Sequence, residues 1–158
     1  MSDMLVALYR LPEQHGGLEK LKAASMVIRR AIAPEKQQVL NWVRTHFNQH
    51  WVDECDVAFA RQPVTCYIAL EHGRMIGFAC YEATCRNFFG PTGVSLDARG
   101  KGVGTALLLA CMHAMRADGY GYAIIGSAGP MDFYKRTLGA VEIENSTPGI
   151  YEGMLRAD

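Results

Sequence analysis

The chain has 158 residues, sixteen Lys and Arg against sixteen Asp and Glu, and 49% apolar residues. That length suits one domain with a core of its own, and a charged content of 20% is too low for a disordered chain. The even balance excludes a broadly basic face, so a polyanionic ligand has to be held by a local device.

Met4 to Tyr9 reads as a short strand, Leu18 to Ala24 as a short helix and Met26 to Ile32 as a weakly alternating strand. Pro34 suits the first turn of a helix with Val39, Leu40, Trp42, Val43 and Phe47 on its apolar face. Trp51, Cys55 and Phe59 recur at a spacing of four in a second helix. From Pro63 the period becomes two. Val64, Cys66, Ile68 and Leu70 alternate with Thr65, Tyr67, Ala69 and Glu71, His72-Gly73 reverses the chain, and Met75 to Cys85 returns as the second strand of a hairpin. Asn87 to Leu96 is extended but broken by Gly90, Pro91 and Gly93, as at an edge, a bulge or a close ligand. A glycine cluster then opens a long apolar helix that ends at Gly119. Tyr120 to Gly126 follows as a strand, Gly129-Pro130 starts a short helix to Leu138, and Val141–Glu144 and Ile150–Leu155 read as two closing strands. This order predicts an α/β (α+β) domain with one central, mixed and mostly antiparallel sheet flanked by helices.

Five cysteines, Cys55, Cys66, Cys80, Cys85 and Cys111, form no C-x-x-C pair and read as reduced thiols of a cytoplasmic protein. Cys111 and His113, the one close Cys/His pair, point to different faces of a helix, so no metal site is expected. No basic stretch followed by an apolar run opens the sequence, and the most apolar window, Val103 to Met115, is too short to span a bilayer. Neither secretion nor a membrane is expected.

Arg99-Gly100-Lys101-Gly102-Val103-Gly104 lies between a strand and a helix N-terminus. Alternate glycines let several N–H groups converge, and the first helical turn adds unpaired donors and partial positive charge. Such a loop suits a pyrophosphate without net positive charge. A dinucleotide fingerprint fails because Thr105 stands where its third glycine belongs, and a Walker A loop fails because Lys101 precedes Gly102. The form that fits is R/Q-x-x-G-x-G/A, met by Arg99, Gly102 and Gly104.

In this loop the sequence resembles the GCN5-related N-acetyltransferase (GNAT) family. A strand ending Gly93-Val94-Ser95-Leu96 precedes the loop, and Phe133-Tyr134 before Leu138-Gly139 is similar to the family's F-Y-x-x-x-G signature. Matching elements run over residues 26–155 as a core, with residues 1–25 as an N-terminal addition. The resemblance implies acetyl-CoA as acyl donor, with Arg99, Gly100, Lys101, Gly102, Val103, Gly104 and Thr105 around its pyrophosphate. It also implies that Val94 and Leu96 lie along the pantetheine arm. Ser127 stands where the family often has Asn, and its hydroxyl replaces part of that contact.

The chemistry implied is amide formation from a thioester. An N–H near Val94 polarises the carbonyl, and Tyr134, a phenol with an ordinary pKa near ~10, protonates the departing thiolate. Glu82, a carboxylate in the apolar run Gly77 to Ala83, is the first choice for the base, with Glu71 or a chain of waters as alternatives. No cysteine is placed for activation, so direct transfer in a ternary complex is expected over an acyl-enzyme. In this family the helices before the hairpin shape the acceptor pocket. Here His46, Trp51, Asp53, Glu54 and Asp56 cluster there, a setting for a cationic amine. The expected acceptor is a primary amine of a small molecule or an amino-acid-like acceptor. A protein or aminoacyl-tRNA acceptor is the alternative, and so is an acyl-CoA sensor without turnover. Zero net charge argues against nucleic acid. The closing strands are candidates for a homodimer contact.

Overall fold

A computed structural model describes residues 1–157. Seven strands, β1 (Met4–Ala7), β2 (Met26–Arg30), β3 (Cys66–Glu71), β4 (Arg74–Tyr81), β5 (Phe88–Val94), β6 (Tyr122–Ile125) and β7 (Val141–Glu142), form one sheet in the order β2-β3-β4-β5-β6-β1-β7. Five helices join them: α1 (His15–Ala23), α2 (Lys36–His46), α3 (Gln49–Phe59), α4 (Val103–Ala117) and α5 (Met131–Leu138). Every pairing is antiparallel except β5 with β6. The mixed, mostly antiparallel sheet matches the architecture expected from the sequence. No helix among the described residues is long and apolar enough to cross a membrane.

Alternation along the strands divides the core in two. Tyr67, Ala69, Ala79 and Tyr81 face α4, whose Leu107, Leu108, Cys111, Met112 and Met115 are fully buried against the sheet. Cys66, Ile68, Phe78 and Cys80 face the other way, onto Val39, Leu40 and Val43 of α2 and Val52, Cys55 and Ala58 of α3. A period of two gives each strand to both layers, and the nearly continuous apolar helix α4 serves the larger one.

The largest departures from the sequence expectation lie at three places. The strand read through Cys85 stops at Tyr81, because Glu82 takes a left-handed backbone (φ 59°) and turns the chain out of the sheet. Val141–Glu144 shrinks to the two residues of β7. Ile150–Leu155 is not a strand: Gly149–Tyr151 forms a 3-10 turn, and Met154 and Leu155 lie exposed. Residues 1–25, read as an addition ahead of the core, supply β1, which pairs with β6 on one side and β7 on the other.

Candidate active site

β5 and β6 run parallel but pair only at Phe88–Ile124 and Phe89–Ile125, after which they part. β5 continues beside β4 to Val94, while the chain after Ile125 turns into α5. Ser95 N–H donates to Ile76 O at 2.9 Å, which fixes the alternation of the β4–β5 ladder. By that alternation the peptide groups of Thr92 and Val94 turn away from β4 and toward the gap. The Val94 carbonyl accepts from Arg99 Nε at 3.1 Å, and its N–H faces the cleft.

That cleft has a volume of about 440 Å³ and runs along Thr92, Gly93 and Val94 to the start of α4, with Phe133 and Tyr134 opposite. Gly102 caps α4 in the left-handed region (φ 86°) with no side-chain cap, a backbone that favours glycine. The first N–H groups of α4 are therefore left for a ligand. Arg99, Gly100, Gly102, Val103, Gly104 and Thr105 all line the cleft. Lys101 lines a different depression, between α1 and α4. Leu96 is 78% exposed in the 3-10 turn Leu96–Ala98 and lines no part of the cleft.

Tyr134 is 5% exposed and forms a wall common to this cleft and to a second cavity of about 620 Å³. Phe133 and Phe89 hold its ring, at centroid distances of 5.3 and 6.4 Å. Burial pushes the phenol up to about 12, so it carries its proton throughout the neutral range.

The second cavity is lined by Asn48, His50, Trp51 and Glu54 from the α2–α3 corner and α3, by Thr84, and by Ser127 and Tyr151 opposite. Asn48 Oδ1 accepts from Trp51 N–H at 3.0 Å, capping α3 and setting its first turn. Positions 50, 51 and 54 then share one helical face. Glu54 accepts from Thr84 Oγ1 at 2.5 Å, which aims its carboxylate across the corner. Of the acidic and aromatic cluster read from the sequence, Trp51 and Glu54 reach the cavity and the others do not. His46 stacks on Trp42 with ring centroids 4.1 Å apart, Asp53 accepts from Gln49, and Asp56 pairs with Lys36 at 2.7 Å.

Glu82 is not brought to Tyr134. Its carboxylate accepts from the Asn87 N–H and, at 3.0 Å, from the Tyr120 hydroxyl, and it lines neither cavity. Glu71 sits at the hairpin tip opposite Arg74, also away from both. Ser127 does line the second cavity, and its N–H donates to Asp3 Oδ1 at 2.8 Å. Asp3 is a positioning residue that sequence reasoning missed. It is a buried carboxylate next to β1, and only the placement of β1 beside β6 brings it to this turn.

Splayed parallel strands thus lead to a helix start without a side-chain cap, and a buried, protonated tyrosine stands between two cavities. The acetyltransferase (GNAT) family model matches residues 34–140, and the chain belongs to that family. No match is found among curated proteins. Solved structures similar to it include the GCN5-related glucosamine N-acetyltransferase region of a fungal multi-domain GH3 β-N-acetylglucosaminidase (TM-score 0.73, 14% identity, 90% of this chain and 19% of that one). A GCN5-related N-acetyltransferase from Sphaerobacter thermophilus is similar at TM-score 0.65 and 17% identity, over 90% of this chain and 48% of that one. A GNAT family acetyltransferase from Brucella melitensis in complex with acetyl-CoA follows at TM-score 0.54 and 19% identity, over 70% of this chain and 80% of that one. At these identities the likeness is one of fold. The chain spans less than half the length of the first two.

Proposed function

We propose that the chain transfers an acetyl group from acetyl-CoA directly to the primary amine of a small cationic molecule, in a reducing cytoplasm. The observation that carries this reading is Tyr134: one buried, protonated phenol forms a wall of both the glycine-loop cleft and the cavity beside it that holds Glu54. The residues present fit an acyl-CoA. The open side of β5 offers peptide groups to an extended arm, and the start of α4 offers N–H donors to a pyrophosphate.

Each residue then has a task. The Val94 N–H stabilises charge developing on the thioester oxygen. Glu54 and the Trp51 ring bind the ammonium form of the acceptor, and Glu54 takes its proton before attack. As the new C–N bond forms and the C–S bond breaks, Tyr134 gives its proton to the sulfur and recovers one from the attacking nitrogen by way of Glu54, while the proton first taken from the ammonium leaves to solvent. The base is thus moved from Glu82 to Glu54. Direct transfer is favoured because no cysteine lines either cavity, and four of the five are buried.

The test is a free-thiol release assay with acetyl-CoA against a panel of amines, run on the wild type and on Tyr134→Phe. Turnover restricted to cationic primary amines and lost in the variant is the expected result. Acetyl-CoA binding without turnover on any amine would replace this reading with that of an acyl-CoA sensor.

A further inference from the structure

Three cysteines far apart in sequence meet beneath α3. Cys66 and Cys80 are directly opposed on β3 and β4. Tyr81 N–H donates to Thr65 O at 3.0 Å, so the 66–80 pair is a close, non-hydrogen-bonded one with both side chains on the same face. Cys55 descends onto them from the buried face of α3. The three Sγ atoms lie within 4.8 Å of one another, and all three residues are fully buried. They belong to the apolar core that holds Val39, Val43, Val52, Ala58, Ile68 and Phe78, and the Cys66 thiol donates to the Tyr67 carbonyl at 3.7 Å. Among the described residues no histidine or carboxylate joins them.

We propose that Cys55, Cys66 and Cys80 form a binding site for one soft monovalent metal ion, Cu(I). Three sulfurs and no oxygen or nitrogen donor exclude hard cations and favour a thiophilic ion. At a metal–sulfur distance of about 2.3 Å, an ion at the centre of a sulfur triangle needs edges of about 4.0 Å, which a small side-chain adjustment supplies. Zn(II) needs a fourth ligand, and among the described residues no histidine or carboxylate stands beside the three sulfurs to supply one. Cu(I) is satisfied by two or three sulfurs. Binding forms Cu–S bonds and releases to solvent one proton for each thiol that becomes a thiolate. Copper stays Cu(I) and no electron moves. An ion there ties α3, which carries Trp51 and Glu54, to β3 and β4. The site is independent of the acetyl-transfer reading.

The experiment titrates the reduced protein anaerobically with Cu(I), added as its acetonitrile complex against a chromophoric Cu(I) chelator, and counts sulfur neighbours by X-ray absorption. One equivalent with three sulfur neighbours is expected. Cys55→Ser and Cys80→Ser should each weaken binding by about a hundredfold or more, at or above the cost of losing a ligand's outer hydrogen-bond partner. Cys85→Ser should bind as the wild type does. Because a serine in this core can unfold the protein, a second measurement uses the wild type alone. Thiol alkylation under mild denaturant, mapped by mass spectrometry, should show Cu(I) protecting Cys55, Cys66 and Cys80 but not Cys85. Undiminished binding in the Cys55 and Cys80 variants overturns the site, as does loss of binding in Cys85→Ser or protection centred on Cys85. Retention of Zn(II) in preference to Cu(I) overturns the choice of ion.

Discussion

The cleft along β5 and α4 and the cavity under α3 share Tyr134 but are built differently. The first is walled by the peptide groups of Thr92 and Val94, by glycines and by apolar and aromatic side chains, with Arg99 and Thr105 as its charged and polar members. The second is walled by side chains with distinct chemistry: His50, Trp51, Glu54, Thr84 and Tyr151. Backbone donors recognise whatever has the right extended shape and phosphate spacing, and many sequences can supply them. Side chains recognise one class of acceptor, and a few substitutions on α3 would change that class. On the proposed function, donor binding rests on the conformation of the main chain and acceptor choice on the side chains of the second cavity.

The strongest way to break this division is at the shared wall. Tyr134→Phe should lower kcat by about 10²- to 10⁴-fold, the usual worth of a positioned acid. Calorimetry should meanwhile show acetyl-CoA affinity changed by less than about twofold, because the lost hydroxyl serves the leaving group alone. If affinity falls along with kcat, Tyr134 belongs to the donor site only. Glu54→Gln should cost about ten- to a hundredfold in kcat/KM for a cationic amine, the worth of a charge-assisted hydrogen bond. Its KM for acetyl-CoA should stay as it was. Gly102→Val forces a branched side chain into a left-handed turn and should raise the KM for acetyl-CoA by about tenfold, with the acceptor KM held.

Two smaller effects sharpen the picture. A Cβ at Gly93 would stand 2.2 Å from Phe47 Cζ, so the ring at the α2–α3 corner packs onto bare β5 backbone. Gly93→Ala should cost about 1–3 kcal/mol by overpacking, read as a melting temperature lowered by several degrees. The pH profile should show no alkaline limb from the acid below about pH 11, because Tyr134 must be protonated to act and burial lifts it to about 12. A limb near 10 would mean that the phenol is solvated when substrate is bound.

Local features of the site were legible in the sequence. The glycines at 100, 102 and 104, the helix they open and the broken strand before them lie where periodicity and turn chemistry put them, and Phe133-Tyr134 was marked by the family resemblance. What depends on distant contacts was not. Glu82 looked like a strand carboxylate, but its left-handed backbone folds it onto the Asn87 N–H. Which of His46, Trp51, Asp53, Glu54 and Asp56 faces the cavity depends on the Asn48 cap and on how α3 lies against the sheet. The meeting of Cys55, Cys66 and Cys80 needs a helix and two strands to come together, and no spacing rule encodes it.

The position of β1 governs the order in which the molecule can be assembled. Residues 4–7 are made early, but their partners at 122–125 and 141–142 follow more than a hundred residues later. Until then β1 has no ladder to join, and β6 and β7 have no other strand to link them. The hairpin β3–β4 and the α2–α3 pair rest on local contacts and can form early, whereas closure around β1 carries a large loop-closure entropy. The Ser127 turn held by Asp3 is completed only with that closure, so this wall of the second cavity is among the last parts to be set in place.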